Sequence, residues 1–102
     1  MARVTVELWM GMGEELGDDF KSPSNTRSVL ETVVEDGTTV GKFFEDLADR
    51  YRPIGEKVFS NHEFAPYVVV TMNDRIISAD GLPDRVLENG DKIMVFHMYV
   101  GG

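Results

Sequence analysis

The chain of 102 residues contains no cysteine, and that absence removes disulfides, thiolate nucleophiles, zinc–thiolate sites and iron–sulfur ligation together. Any sulfur chemistry has to borrow its sulfur. Long apolar runs are missing too. The longest unbroken aliphatic stretch is Val68-Val69-Val70, far short of the roughly 20 residues of a spanning helix. The opening MARVTVELWM passes from one arginine straight into alternation. It has no apolar signal core and no small-residue cleavage site, so a cytoplasmic protein away from the membrane is expected. Positive charge is scarce: ten basic residues against eighteen acidic leave a net charge of -8. Such a balance repels phosphate backbones and anionic lipid, which argues against nucleic acid as a ligand and favours a basic protein partner. No repeat or low-complexity segment occurs. No nucleophile stands beside a base, so the chain is expected to catalyse nothing alone.

What is present suits one domain over residues 1–102, with room for a single core. In VTVELW, Val4, Val6 and Leu8 alternate with Thr5, Glu7 and Trp9, the period of a strand with one buried side. Residues 10–27 carry glycines, a proline and small polar residues, and read as a long connection with a helical turn near Glu14 to Leu16. SVLETVVE reads as a second strand with Leu30, Thr32 and Val34 inward. A turn at Asp36-Gly37, an N-cap at Thr39 and apolar Val40, Phe44, Leu47 and Tyr51 at helical spacing predict one main helix, with Pro53 as its stop. Residues 54–65 read as irregular. YVVVTM and RIIS flank Asn73-Asp74 as a hairpin, Asn89-Gly90-Asp91 reverses the chain, and KIMVFHMYV is the last strand.

One helix cannot cover both faces of such a sheet. On the last strand Ile93 and Val95 share one face, while Met94, Phe96 and Met98 share the other. With the β-branched pair on the helix, Met94, Phe96 and Met98 are expected to form an exposed apolar stripe leading to Gly101-Gly102, and such patches mark interaction sites. The alternative is that the long connection covers them. A terminal glycine pair adds no packing and loses much backbone entropy on ordering, so its use is expected to be chemical.

Other signals are weaker. GMGEEL resembles a phosphate loop, but Leu16 stands where the dinucleotide pattern needs glycine. His62 and Glu63 form an isolated pair of metal-ligand types without a second cluster, so no metal is expected. His97 reads as an edge histidine. The acidic residues Glu14, Glu15, Asp18 and Asp19 read as a solvated loop that also steers a basic partner.

Taken in order, VELWMGMGEELG, EDGTTVGKFFEDL, VTMND, LENGDKIMVF and the terminal VGG resemble the ubiquitin-like β-grasp sulfur carriers, the MoaD/ThiS-like family. That family includes the small subunit of molybdopterin synthase, which the chain resembles more, and the thiamin-biosynthesis carrier. Segments 18–28 and 53–65 look longer than the family minimum. The resemblance implies an α+β fold, a mixed sheet of four to five strands packed on one main helix, with a flexible Gly-Gly tail.

It further implies that a partner activating enzyme uses ATP to adenylate the carboxylate of Gly102, and that a sulfur donor converts the adenylate to a thiocarboxylate. That group would donate sulfur in molybdopterin biosynthesis, on a large synthase subunit. Activation is needed because a carboxylate is a poor electrophile, whereas an acyl-adenylate carries a good leaving group. Glycine at 101 and 102 lets the backbone enter a narrow channel, and Val100, Met98, Phe96 and Met94 would contact the partner. The implied carrier binds no cofactor itself. Two alternatives share the activated terminus: a ubiquitin-like modifier joined to lysines through Gly102, and a carrier for another pathway such as thiamin. A plain interaction domain with incidental glycines is a third.

Overall fold

Alternation along ARVTVELW produces the first strand, β1 (Ala2–Trp9), whose residues Val4, Val6 and Leu8 are fully buried, as their spacing predicts. The computed structural model describes residues 1–10, 16, 20–21, 27–78 and 80–97, with no side-chain description for His97. β2 (Ser28–Val34) pairs antiparallel with β1, and it turns Leu30 and Val34 to the core while Val33 is exposed. Helix α1 (Val40–Arg50) begins at Thr39, whose side-chain oxygen accepts the Lys42 N–H at 3.2 Å. Its residues Val40, Phe43, Phe44 and Leu47 are buried.

Pro53 does not simply stop the helix. α1 ends at Arg50, the chain bends at the extended Tyr51, and a second helix, α2 (Arg52–Lys57), starts with Pro53 in its first turn. A proline lacks only an N–H that would have no intrahelical partner there, so it breaks one helix and initiates the next. The expectation of irregular chain over 54–65 is likewise corrected. After α2, β3 (Phe59–Ser60) and β4 (Glu63–Phe64) form a small hairpin. Asn61 and His62 both have positive φ, as a two-residue hairpin turn requires. Phe59 and Phe64 are too few residues to show a strand period. They are held by contacts across the chain: Phe64 packs against Phe44 and against Phe59, each with ring centroids 4.9 Å apart.

β5 (Val68–Met72) and β6 (Arg75–Ile77) flank Asn73 (φ 54) and Asp74 (φ 70) as a tight hairpin. A 3₁₀ turn over Leu82–Asp84 precedes β7 (Lys92–His97). The main sheet has five strands in the order β2-β1-β7-β5-β6, with β7 parallel to β1 and antiparallel to β5. α1 and α2 pack on one face of it. Of the 10–27 connection, Leu16 is helical and buried, and Phe20 is buried edge-on to Tyr51 at 5.1 Å. The rest of the expected helical turn, Glu14 and Glu15, lies outside the described residues. Among the described residues no helix is long and apolar enough to cross a membrane.

Candidate functional site

The last strand is the third of five, so its direction and face are set by neighbours on both sides. Its entry is pinned first. Gly90 takes a positive φ of 91° and donates its N–H to the Arg3 carbonyl at 2.8 Å, turning LENGD back into the sheet. The buried Asp91 carboxylate accepts from Asn73 Nδ2 at 2.9 Å and from the Glu88 N–H at 2.8 Å. Asn73 in turn accepts the Lys92 N–H through its side chain and donates its own N–H to the Lys92 carbonyl, both at 2.9 Å. The two turns that bracket β5 and β7 are thus one hydrogen-bonded unit.

Ile93 and Val95 are fully buried beneath α1, which turns Met94 and Phe96 to the opposite face. The register places Met94 between Glu7 and Thr71, and Phe96 between Trp9 and Val69. Both side chains are half-buried, so the apolar stripe is less open than the alternation suggests. Part of the reason is Trp9, whose ring stacks on Phe96 with centroids 5.8 Å apart and planes 26° apart. Ile76, opposite Thr71 on β6, extends the same face and is 78% exposed.

Beside the stripe lies a polar cluster that strand spacing alone does not disclose. Glu7 points away from the helices, yet only 3% of it is exposed. Arg27 Nε donates to its Oε1 at 2.7 Å, Lys92 Nζ lies 3.2 Å from its Oε2, and the Arg27 guanidinium stands over the Trp9 ring at 5.4 Å. Burial pushes the Glu7 carboxyl up, but hydrogen bonds and charge from Arg27 and Lys92 outweigh it, and the net displacement is below the ordinary 4.5. Trp9 Nε1 and Thr71 Oγ1 are buried on this face and have no hydrogen-bond partner among the described residues. The sequence signal for these residues was the outward position of Thr5, Glu7 and Trp9. What pairs with them depends on strand order, which spacing does not disclose.

Because β7 runs parallel to β1, its last described residues lie beside Trp9 and the start of β5, where His97 faces Val68. Met98, Val100, Gly101 and Gly102, with the expected flexible tail, lie outside the described residues, as do the GMGEE stretch, Glu14, Glu15, Asp18 and Asp19. The His62 pair resolves differently from its sequence neighbours. His62 Nδ1 lies 2.7 Å from Glu45 Oε1 and its Nε2 lies 3.9 Å from Asp84 Oδ1, while Glu63 stays exposed on β4. Among the described residues no grouping of histidine and carboxylates can hold a metal ion.

Several solved structures share this fold. H. volcanii small archaeal modifier protein 1 aligns with a TM-score of 0.68 at 17% identity, over 97% of this chain and all of that one (100%). The putative molybdopterin converting factor subunit 1 from Pyrococcus furiosus aligns with a TM-score of 0.65 at 22% identity, over 97% and 100%. A chain of the Amycolatopsis orientalis BexX/CysO complex gives 0.65 at 20% identity, over 97% and 99%. No curated protein matches the sequence. The family model described as the ThiS family matches residues 23–102, from before β2 through the whole last strand to the glycine pair. With its sheet, helix and match agreeing, the chain belongs to the ThiS family and has the ubiquitin-like β-grasp fold of the MoaD/ThiS-like sulfur carriers.

Proposed function

We propose that this protein carries sulfur as a thiocarboxylate on Gly102 and delivers it in molybdopterin biosynthesis, as the small subunit or sulfur-donating co-substrate of a synthase. The observation that carries the reading is the family match, which runs through β7 and includes Gly101 and Gly102. The likeness to a putative molybdopterin converting factor subunit supports that pathway. In the first step a Gly102 carboxylate oxygen attacks the α-phosphorus of ATP on an activating enzyme, forming an acyl-adenylate and expelling pyrophosphate. The outer sulfur of a donor persulfide then displaces AMP to give an acyl disulfide, and a second thiol attacks the donor's sulfur, forming a disulfide with it and releasing the thiocarboxylate. Met94, Phe96, Met98 and Val100 make the contact face, and glycine at 101 and 102 lets the chain thread a narrow channel.

The test is incubation of the protein with its activating enzyme, ATP and a sulfur donor. The expected product differs by replacement of one oxygen with sulfur, mapped to Gly102. It should then support molybdopterin formation with a large synthase subunit. An unmodified terminus in the presence of a bound activating enzyme would overturn the carrier reading. The similarity to a small archaeal modifier protein supports a second reading, conjugation of Gly102 to lysine side chains. An isopeptide product without cofactor synthesis would favour it.

A further inference from the structure

β2 is an edge strand of the five-stranded sheet. Its outer backbone groups follow from two observations. Lys21 and Val29 exchange both backbone hydrogen bonds, at 2.8 and 2.7 Å, on the side away from β1. By the period of two, Glu31 and Val33 also direct their N–H and C=O outward, while Leu30, Thr32 and Val34 bond toward β1. Among the described residues Lys21 alone pairs with this edge, and none of them pairs with the ladder beyond Val29. Lys21 shows that the edge accepts an antiparallel residue without disturbing the sheet.

Next to this ladder, a groove of about 790 Å³ runs between β2 and α1, floored by Leu30, Val34, Phe43 and Leu47. Its outer rim is acidic: Glu31 and Glu35 are exposed and flank Val33, which is 47% exposed, at alternate positions. Among the described residues neither carboxylate has an ion-pair partner, whereas Asp36 meets the chain's own N-terminus at 3.0 Å and Asp46 meets Lys42 at 3.3 Å.

We infer that this edge is a docking site for an extended segment of a partner protein, bound as an added antiparallel strand along residues 31–35. Its side chains alternate between two environments. Those facing the groove are apolar and cover the half-buried Leu30 and Val34. Those on the other face oppose Glu31, Val33 and Glu35, so the complementary pattern is basic, apolar and basic at every second residue. Main-chain bonds to Glu31 and Val33 supply affinity, and the two carboxylates supply selection by charge. β1 separates this edge from β7, so the inference is independent of the chemistry at Gly102.

The probe is the capped peptide acetyl-Gly-Lys-Val-Ile-Val-Lys-Gly-amide, titrated into the full-length ¹⁵N-labelled protein. Saturable amide shifts are expected at residues 31–35 and along the groove-facing side of α1. The same peptide with both lysines replaced by glutamate should bind roughly threefold to tenfold more weakly, as should wild-type peptide with the double variant Glu31→Lys, Glu35→Lys. Val33→Pro removes an outward N–H that bonds to no described residue, so it should fold and weaken binding by roughly tenfold. If Val33→Pro does not fold, the charge variants decide. Absence of saturable shifts, shifts confined to the Met94 and Phe96 face, or equal binding of the acidic peptide would overturn the proposal. Self-association through residues 31–35 without peptide would replace the proposed partner with a second copy of the chain.

Discussion

The rings of Trp9 and Phe96 stack across the parallel β1–β7 pair, with centroids 5.8 Å apart. The contact joins the end of β7 to the only tryptophan of the chain. It therefore supplies both a small share of stability and an optical reporter on the proposed contact face.

Phe96→Ala removes a half-buried ring that is stacked on one side. The expected loss is about 1–2 kcal/mol, below the roughly 3–5 kcal/mol of a fully buried phenylalanine. Urea unfolding followed by Trp9 fluorescence measures it, and the native emission should shift red as water reaches the indole. Affinity for the activating enzyme should fall by more than stability does. A loss of several kcal/mol would mean that Phe96 belongs to the core.

Glu7 makes stability depend on acid. Its folded pKa is lowered from 4.5, because the hydrogen bonds and charge of Arg27 and Lys92 outweigh the effect of burial. The stabilisation is therefore fully present above 4.5 and is lost as pH falls through the lower folded value. Glu7→Gln should remove that component of the acid transition. At pH 7 it should cost about 1–3 kcal/mol, since Arg27 and Lys92 lose a charged acceptor but remain partly solvated. Chemical denaturation from pH 3 to 7 compares the two proteins.

Asp91→Asn tests the hydrogen-bonded turn unit. Both carboxylate oxygens accept, from Asn73 Nδ2 and the Glu88 N–H, and an amide offers one acceptor and one donor. One donor–donor clash results, so a destabilisation of about 1–3 kcal/mol is expected in urea melts. Thiocarboxylate formation in the folded fraction should be unaffected.

Gly41→Ala should destabilise although alanine is the better helix former by about 1 kcal/mol. An added Cβ would sit 2.6 Å from His62 Cε1, 2.9 Å from the Pro83 carbonyl oxygen and 3.0 Å from Pro83 Cβ. The half-exposed imidazole can swing aside, but the Pro83 backbone cannot without moving the 3₁₀ turn off α1. A net loss of about 1–3 kcal/mol is expected, read as a lower thermal midpoint. An unchanged or raised midpoint would show that the turn yields freely.

Deleting Gly102, or adding one residue after it, should abolish adenylation and sulfur loading while leaving the thermal midpoint within error, because the last residues of a domain generally add little stability. Mass spectrometry of the loading reaction and a thermal melt separate the chemical defect from a structural one.

Short-range patterns determine much of this protein. Alternation named Val4, Val6 and Leu8 as core, Thr39 and the spacing of Val40, Phe44 and Leu47 placed α1, and Asn73-Asp74 located a hairpin. Ile93 and Val95 were separated from Met94 and Phe96 by the strand period alone, and the terminal glycines pointed to the chemistry proposed for Gly102. Each of those signals acts over a few residues, within reach of local backbone geometry and side-chain periodicity. What only the tertiary structure decided depends on groups distant in sequence. Residues 59–64 fold as a hairpin because Phe59 and Phe64 close on Phe44. Pro53 opens α2 because the chain bends at Tyr51, where Phe20 packs. Glu7, which alternation turned away from the core, is buried because strand order brings Lys92 from β7 and Arg27 from the end of the long connection to its two oxygens. A carboxylate leaves water when cations reach it, and which cations reach it is a property of the assembled sheet.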